Sequence, residues 1–273
     1  YLMKKKNYLI FVHYHSNGLI RNDILKFLRN SNSYFEKIIF ISTNLKIKER
    51  KKLPKSIKVI TRKNIGYDFY SYKCGLEYYL KKLKRNYFDE NLFFLNSSVL
   101  FVENDRLIKT IRKLEINENE FWGLTKSYEL TEHIQSYFFC FSAKILTKKN
   151  ILNWWKKIKP FKKRQTIIDK YELGLSKLML QNGIKLCSIF KKNINIYPKN
   201  ITQKIKLRYK EIIHKQKKIY KRNPTNYFWK DFYNQFGLVK IELLKYNPKN
   251  IDLKDLIKII KKKKNLIKDV INN

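Results

Sequence analysis

Residues 8–13 read YLIFVH, an apolar run closed by a histidine. Its β-branched and aromatic content predicts a strand buried on both faces. Asn17-Gly18 then marks a turn, and Ile20, Ile24, Phe27 and Leu28 recur at helical spacing. Two further runs, KIIFIS at 37–42 and IKVIT at 57–61 after Pro54, predict a second and a third strand. Residues 69–83 predict a helix with Tyr72, Leu76, Tyr79, Leu80 and Leu83 on one face, and NLFFL at 91–95 predicts a fourth strand. The order is β-α-β-β-α-β. Strands that are apolar throughout are covered on both faces, so the fold class is α/β with a mainly parallel sheet flanked by helices.

Further along, FWGLT at 121–125 and SYFFCFS at 136–142 read as strands, and 151–158 and 167–181 as helices. Gly183 stands where a C-cap glycine is expected, and 184–190 reads as another strand. After Pro198 the stretches 206–222 and 254–270 alternate Ile, Leu and Tyr with Lys, as basic amphipathic helices do. This divides the chain into an α/β domain at 1–198 and a basic, mainly helical extension at 199–273, packed on or beside it. The start of the chain imitates a signal peptide, with Lys4, Lys5 and Lys6 before an apolar run. That run is too short, and no small-residue cleavage site follows, so it reads as the first strand. Met3 before the lysines reads as a natural start, or the chain as a fragment.

Across 273 residues, 61 Lys and Arg against 22 Asp and Glu give a net charge of +39. Such a surface attracts acidic partners: nucleic acid, anionic lipid or a nucleotide-sugar diphosphate. Lys, Asn, Ile, Phe and Tyr are also the residues of AT-rich codons, so part of the charge is compositional. Hydrophobic residues at 44% suffice for a core and exclude disorder along the whole chain. Cys74, Cys140 and Cys187 form neither a disulfide framework nor a metal-ligand spacing. No apolar run approaches the roughly 20 residues of a membrane span.

Ligands of open α/β sheets bind beyond the carboxyl ends of the strands. His13-Tyr14-His15 follows the first strand and reads as a turn holding a base or phosphate; a metal would need a carboxylate nearby. Arg62 to Asp68 follows the third. There Gly66 lets a backbone approach closely, Asn64 and Asp68 offer groups to a base or ribose, and Arg62 and Lys63 offer charge to phosphate. Asp68 reads equally as a helix cap. Asn96-Ser97-Ser98 after the fourth strand suits a sugar or diphosphate, or is a polar turn. Glu172, in a helix among Ile168, Leu175, Leu178 and Met179, is either a carboxylate tuned as a general base or one pairing with lysine at the helix edge.

Eight segments together resemble the rhamnan synthesis F family, glycosyltransferase-like proteins of bacterial surface polysaccharide assembly. They are VHYHSNGLI (12–20), RKNIGYDFYSYKCGL (62–76), LFFLNSS (92–98), FWGLTKS (121–127), HIQSYFFCF (133–141), YELGLS (171–176), NPTNYFWKDF (223–232) and FGLVKIELLKYNP (236–248). The resemblance implies a GT-A-like, Rossmann-like sheet carrying a nucleotide-sugar site. On it, Glu172 is the catalytic base. His13, Arg62, Asn64, Gly66, Tyr67, Asp68, Asn96 and Ser98 bind the donor, and His133 and Gln135 orient the acceptor or the sugar. Where the family usually reads Asn-Asp-Ser, this chain has Asn96-Ser97-Ser98, and its Gly-Pro becomes Phe101-Val102. Losing the acidic residue argues against a bound Mg²⁺ or Mn²⁺, since both prefer carboxylate oxygens, and leaves no metal ligand assigned. The implied partners are a nucleotide sugar, dTDP-rhamnose by family implication, and a polysaccharide or lipid-linked glycan. The implied location is cytoplasmic, at the inner face of the membrane, and the basic amphipathic helices read either as resting on anionic lipid or as packing their apolar faces on the α/β core. A non-catalytic scaffold is the rival reading that Ser97 keeps open. No nucleic-acid-binding motif is present.

Overall fold

The computed structural model describes residues 5–83, 89–113, 120–190 and 223–262. The predicted frame is present. Strands β1 (Lys6–His13), β2 (Lys37–Ser42), β3 (Lys58–Thr61) and β4 (Glu90–Asn96) alternate with helices α1 (Asn22–Ser31), α2 (Ile47–Arg50) and α3 (Tyr67–Lys82). Then come β5 (Val99–Phe101), α4 (Arg106–Lys113), β6 (Phe121–Gly123), β7 (Lys126–Ser127), β8 (His133–Ile134), β9 (Phe138–Ser142), α5 (Lys149–Lys156), α6 (Arg164–Ile167), α7 (Leu173–Gln181) and β10 (Cys187–Ser188). Helices Pro224–Tyr227 and Trp229–Phe236, strand β11 (Leu238–Lys240), and helices Ile241–Lys245 and Lys254–Lys261 complete the described chain.

The central sheet has seven strands in the order β10-β6-β9-β4-β1-β2-β3. Only β9 runs against its neighbours; β1 pairs in parallel with both β2 and β4. The chain builds β2 and β3 to one side of β1 and then returns to place β4 on the other. Such a reversal opens a crevice at the strand ends, here between His13 and Asn96. One face of the sheet buries Leu9, Phe11 and Phe40 with Phe27 of α1, Ile111 of α4, and Phe232 and Phe236. The other buries Ile10, Ile39 and Phe94 with Tyr72 and Leu76 of α3, Trp155 of α5 and Met179 of α7. The sheet is therefore covered on both faces, which is why its strands show no polar alternation.

Three local readings change. The helix expected at 167–181 begins at Arg164 and widens into a π-helical turn at Ile168–Glu172 before continuing as α7. The strand expected at 184–190 contracts to Cys187–Ser188, because its partner β6 spans only Phe121–Gly123. The C-terminal segment is not wholly helical: β11 pairs antiparallel with β5. Gly237 makes that strand possible. With φ of 69° it turns the chain out of the preceding helix, and a Cβ there would lie 2.7 Å from the Glu103 carbonyl oxygen.

The boundary read at 198/199 and the helix read at 206–222 lie outside the described residues. Of the stretch 254–270, helix Lys254–Lys261 is described, and its apolar residues divide: Ile257 is 45% exposed and Ile259 partly buried. Leu256 and Ile260 are buried with Leu100, Val102, Trp229, Val239 and Leu243. Within the described helix, these two expected membrane-facing residues pack on the protein. Among the described residues no helix is long and apolar enough to cross a membrane.

Candidate active site

Every residue assigned to the site from sequence lines one cavity of about 1190 Å³ at the carboxyl ends of β1, β3 and β4. It slightly exceeds the ~300–1,000 Å³ typical of a single small-molecule pocket. His13, Arg62, Asn64, Gly66, Tyr67, Asp68, Asn96, Ser98, His133, Gln135 and Glu172 all border it.

The floor is held by a pair that the sequence reading did not single out. Arg21 and Asp23 are 3% and 0% exposed, so both charges are out of water. Arg21 Nε and Nη2 donate to the two Asp23 carboxylate oxygens at 2.9 and 3.0 Å. Nη1 donates to the Ser97 carbonyl at 2.9 Å and Nη2 to the Val99 carbonyl at 2.7 Å. Asp23 Oδ2 also accepts the Phe101 amide at 2.9 Å. Residues 97–101 are thereby clamped to the start of α1.

On this clamp stands Asn96-Ser97-Ser98. Asn96 Oδ1 accepts the Ser98 amide at 3.0 Å and the Ser98 hydroxyl at 2.6 Å, and Asn96 Nδ2 donates to Asp68 Oδ2 at 2.8 Å. Ser97 Oγ accepts the Tyr14 amide at 3.0 Å and so ties the end of β1 to the end of β4. Ser97 is thus a staple, in the place where the resemblance expects an acid.

Arg62 does different work from that expected. Nε donates to Ser71 Oγ at 2.8 Å, and Nη1 and Nη2 donate to the carbonyls of Lys63, Ile65 and Tyr67 at 2.7, 2.5 and 2.8 Å. Its guanidinium holds the loop. That loop carries two successive left-handed residues, Gly66 (φ 74°) and Tyr67 (φ 51°), the second uncommon for a side chain of that size. A Cβ on Gly66 would meet Pro160 Cα at 2.6 Å, so the close approach Gly66 allows is to the 160 segment. Tyr67 Oη donates to the Lys162 carbonyl at 3.2 Å, and Asn64 is exposed at the rim.

Among the described residues four carboxylates line the cavity, Asp68, Glu129, Glu172 and Glu242; two of them stand at the positions singled out from sequence. Glu172, at the end of the π-helical turn, accepts the Ser136 amide on Oε1 at 2.8 Å. Asp68 is half-buried in the first turn of α3. Its pKa is pushed up to about 6, first by burial, with the Lys240 charge opposing and the Glu172 charge adding to the rise. Lys240, at the end of β11, is the residue sequence reasoning missed. Its Nζ donates to Ser98 Oγ at 3.0 Å and lies 4.5 Å from the centre of the Tyr137 ring. Burial lowers its pKa against the pull of Glu242, Glu172 and Asp68.

The histidines and the glutamine form the rest of the wall. His13 stacks on Phe40, bonds Ser42 Oγ through Nδ1 at 2.9 Å, and leaves Nε2 buried without a hydrogen-bond partner. Burial, then the Arg21 and His15 charges, lower its pKa to about 3, so it is neutral. His133 Nδ1 donates to the Thr131 carbonyl at 2.7 Å. Gln135 accepts from Thr125 Oγ1 at 2.7 Å and reaches Asn223 Oδ1 at 3.3 Å, which locks its amide. Asn226 donates to Glu242 at 2.9 Å beside it.

The groups that a divalent ion would use are arranged as follows. Mg²⁺ and Mn²⁺ sites are built from several oxygen ligands, carboxylates foremost. Here Ser97 is turned to backbone and Asp68 Oδ2 is held by an amide. Among the described residues no group of three or more His, Cys, Asp and Glu could hold a metal ion.

The raised Asp68 pKa has a sign that can be tested. Between its ordinary value of 3.8 and about 6 the folded state binds this proton more tightly than the unfolded state. Stability contributed by the protonated form is therefore present below pH ~4 and declines as pH rises to about 6. Asp68→Asn should remove that decline: the difference in unfolding free energy, variant minus wild type, should grow from pH 4 to pH 6 and then level off. A difference independent of pH, measured by denaturant titration, would mean Asp68 titrates as an ordinary surface carboxylate.

The protein is 31% identical over 135 residues to an uncharacterized protein, y4gN, of Sinorhizobium fredii; the match takes in 48% of this chain and 34% of that one. It is 28% identical over 245 residues to virulence protein VirA of Vibrio anguillarum, covering 82% and 73% of the two chains. The chain thus spans about a third of the first relative and nearly three quarters of the second. Among solved structures, mannosyltransferase PcManGT from Pyrobaculum calidifontis aligns with a TM-score of 0.43 at 8% identity, over 73% of this chain and 59% of that one. The sequence model of rhamnan synthesis protein F matches residues 38–270, most of the chain, and the protein belongs to that family.

Proposed function

We propose that this protein is a glycosyltransferase that moves a sugar from a nucleotide-sugar donor to a growing cell-surface polysaccharide or lipopolysaccharide. The observation that carries the reading is convergence. Polar motifs from the ends of β1, β3 and β4, two carboxylates and a lysine meet in one cavity at the point where the strand order reverses. Family membership supports a role in polysaccharide synthesis. A rhamnosyl donor such as dTDP-rhamnose is the finer form of the proposal, and a lipid-linked glycan its acceptor. A cytoplasmic location at the inner membrane face also belongs to the proposal. Contact with anionic lipid would rest on the net charge of +39, since Leu256 and Ile260 already pack inward.

Glycosyl transfer needs the acceptor hydroxyl deprotonated as it attacks the anomeric carbon. Glu172 is the proposed base: the Ser136 amide holds Oε1, and Oε2 remains to take the proton. Asn64, Tyr67 and Asp68 would border the nucleotide, with Asn96 and Ser98 at the phosphates. Neutral His13 would form part of the wall, and His133 and Gln135 would orient hydroxyls. Ser97 in place of an acid is the one observation that favours a non-catalytic scaffold, and turnover separates the two.

Glu172→Gln keeps shape and removes the base. Steady-state turnover should fall roughly 10²–10⁴-fold, the usual worth of a positioned base, with the melting temperature close to wild type. Near-normal turnover would leave Glu172 only its contact with Ser136. Turnover in EDTA should persist at a substantial fraction of that with Mn²⁺; complete loss, restored by Mn²⁺, would make Asp68 and Glu172 metal ligands.

A further inference from the structure

A donor diphosphate carries negative charge that must be met as the sugar leaves, and the cations of this cavity differ in how they are held. Arg21 is bonded to Asp23 and two backbone carbonyls. Arg62 is bonded to Ser71 and three carbonyls. Lys249 pairs with Glu129 at 3.3 Å, Lys162 and Arg164 stand exposed at the rim, and Lys245 lines the cavity from the helix Ile241–Lys245 with no bond, among the described residues, fixing its ammonium in the strand-end motifs.

Lys240 differs from all of these. It is half-buried, and its place is fixed from both ends. On the backbone side, Lys240 pairs with Val99 in the β11–β5 ladder, directly after the strand-four motif. On the side-chain side, Nζ donates to Ser98 Oγ, Ser98 Oγ donates to Asn96 Oδ1, and Asn96 Nδ2 donates to Asp68. An ammonium has three N–H donors. Ser98 takes one, and the Tyr137 ring lies against the group.

We propose that Lys240 Nζ is the cation that binds the donor diphosphate and stabilises the charge left on it, the task a bound divalent metal performs in other sites. This rests on the glycosyltransferase reading. In the step, the bond from the anomeric carbon to the phosphate oxygen breaks and its electron pair stays on the diphosphate. The acceptor oxygen bonds to the anomeric carbon and its proton passes to Glu172. Lys240 stays protonated throughout and directs an N–H at the departing oxygen, where a preorganised donor in a partly dry site is most effective. A lysine suits this as a point charge and needs no metal.

Calorimetry on the full chain in EDTA tests it, with inorganic pyrophosphate and dTDP as probes. Wild type should bind pyrophosphate. Lys240→Met and Lys240→Gln should each weaken that binding roughly 10- to 100-fold, the range for one charge-assisted hydrogen bond. Lys240→Arg should keep most of it. Lys230→Met removes an equal charge from the surface, outside the cavity, and should change nothing. The two neutral variants are of different shape, so a folding defect in one leaves the other to decide. Wild-type affinity in a folded neutral variant, or equal weakening by Lys230→Met, would overturn the assignment of Lys240 alone. Absence of binding of both probes to wild type would overturn the donor site itself, and the inference with it.

Discussion

The bidentate pair between Arg21 and Asp23 is the constraint on which the site depends. Burying two charges is costly, and such a pair is tolerable only when its remaining hydrogen-bonding groups are also satisfied. Here they are satisfied by backbone: the carbonyls of Ser97 and Val99 on one side and the amide of Phe101 on the other. That choice of partners has consequences. It fixes the chain immediately after β4, which sets Asn96 and Ser98, and it presents β5 as an edge for β11. Lys240 follows from that pairing. Removal of one partner from such a pair typically costs ~3–5 kcal/mol, because the other charge stays buried. In this protein the loss would fall first on the floor of the cavity.

Much of this was legible in the sequence, and the reason is local. β1, β2 and β4 are apolar runs that only a doubly covered sheet accommodates, and polar residues at their carboxyl ends mark where such a sheet binds ligands. The residues chosen by that rule and by the family resemblance together line one cavity. Lys240 was not found, because β11 is three residues long and its meaning lies in contacts 142 positions away at Ser98. Arg21 was hidden in the same way: two of its partners lie 76 and 78 positions downstream. Arg62 lines the cavity, but its guanidinium is bonded to Ser71 and to loop carbonyls. A basic residue in a strand-end loop suggests phosphate, but a loop with two left-handed residues needs its carbonyls held, and Arg62 supplies the donors. The π-helical turn before Glu172 likewise has no pattern of its own in a stretch that reads as plain helix.

The net charge of +39 invites an explanation through partners, yet the chemistry of the cavity depends on few of its cations. Two arginines are structural and one lysine is held among acids. The Asp68 pKa rises to about 6, first through burial, with the Lys240 charge opposing and the Glu172 charge adding, and burial lowers that of Lys240 against the pull of Glu242, Glu172 and Asp68. A ligand with a diphosphate would meet Lys240 and enter beside two carboxylates. Of the described basic helix Lys254–Lys261, Leu256 and Ile260 pack inward. Surface charge speeds encounter with any anion and selects none.

The central claim is that the crevice between β1 and β4 binds a nucleotide sugar, and the most direct measurement is thermal unfolding of the full chain against a panel of nucleotide sugars differing in base and sugar. A ligand that binds only the folded state raises apparent stability with the logarithm of its concentration over Kd. The account predicts that at least one member raises the melting temperature in that logarithmic manner, and that the same sugar without its nucleotide does not. A melting temperature unmoved by every member at millimolar concentration would contradict it.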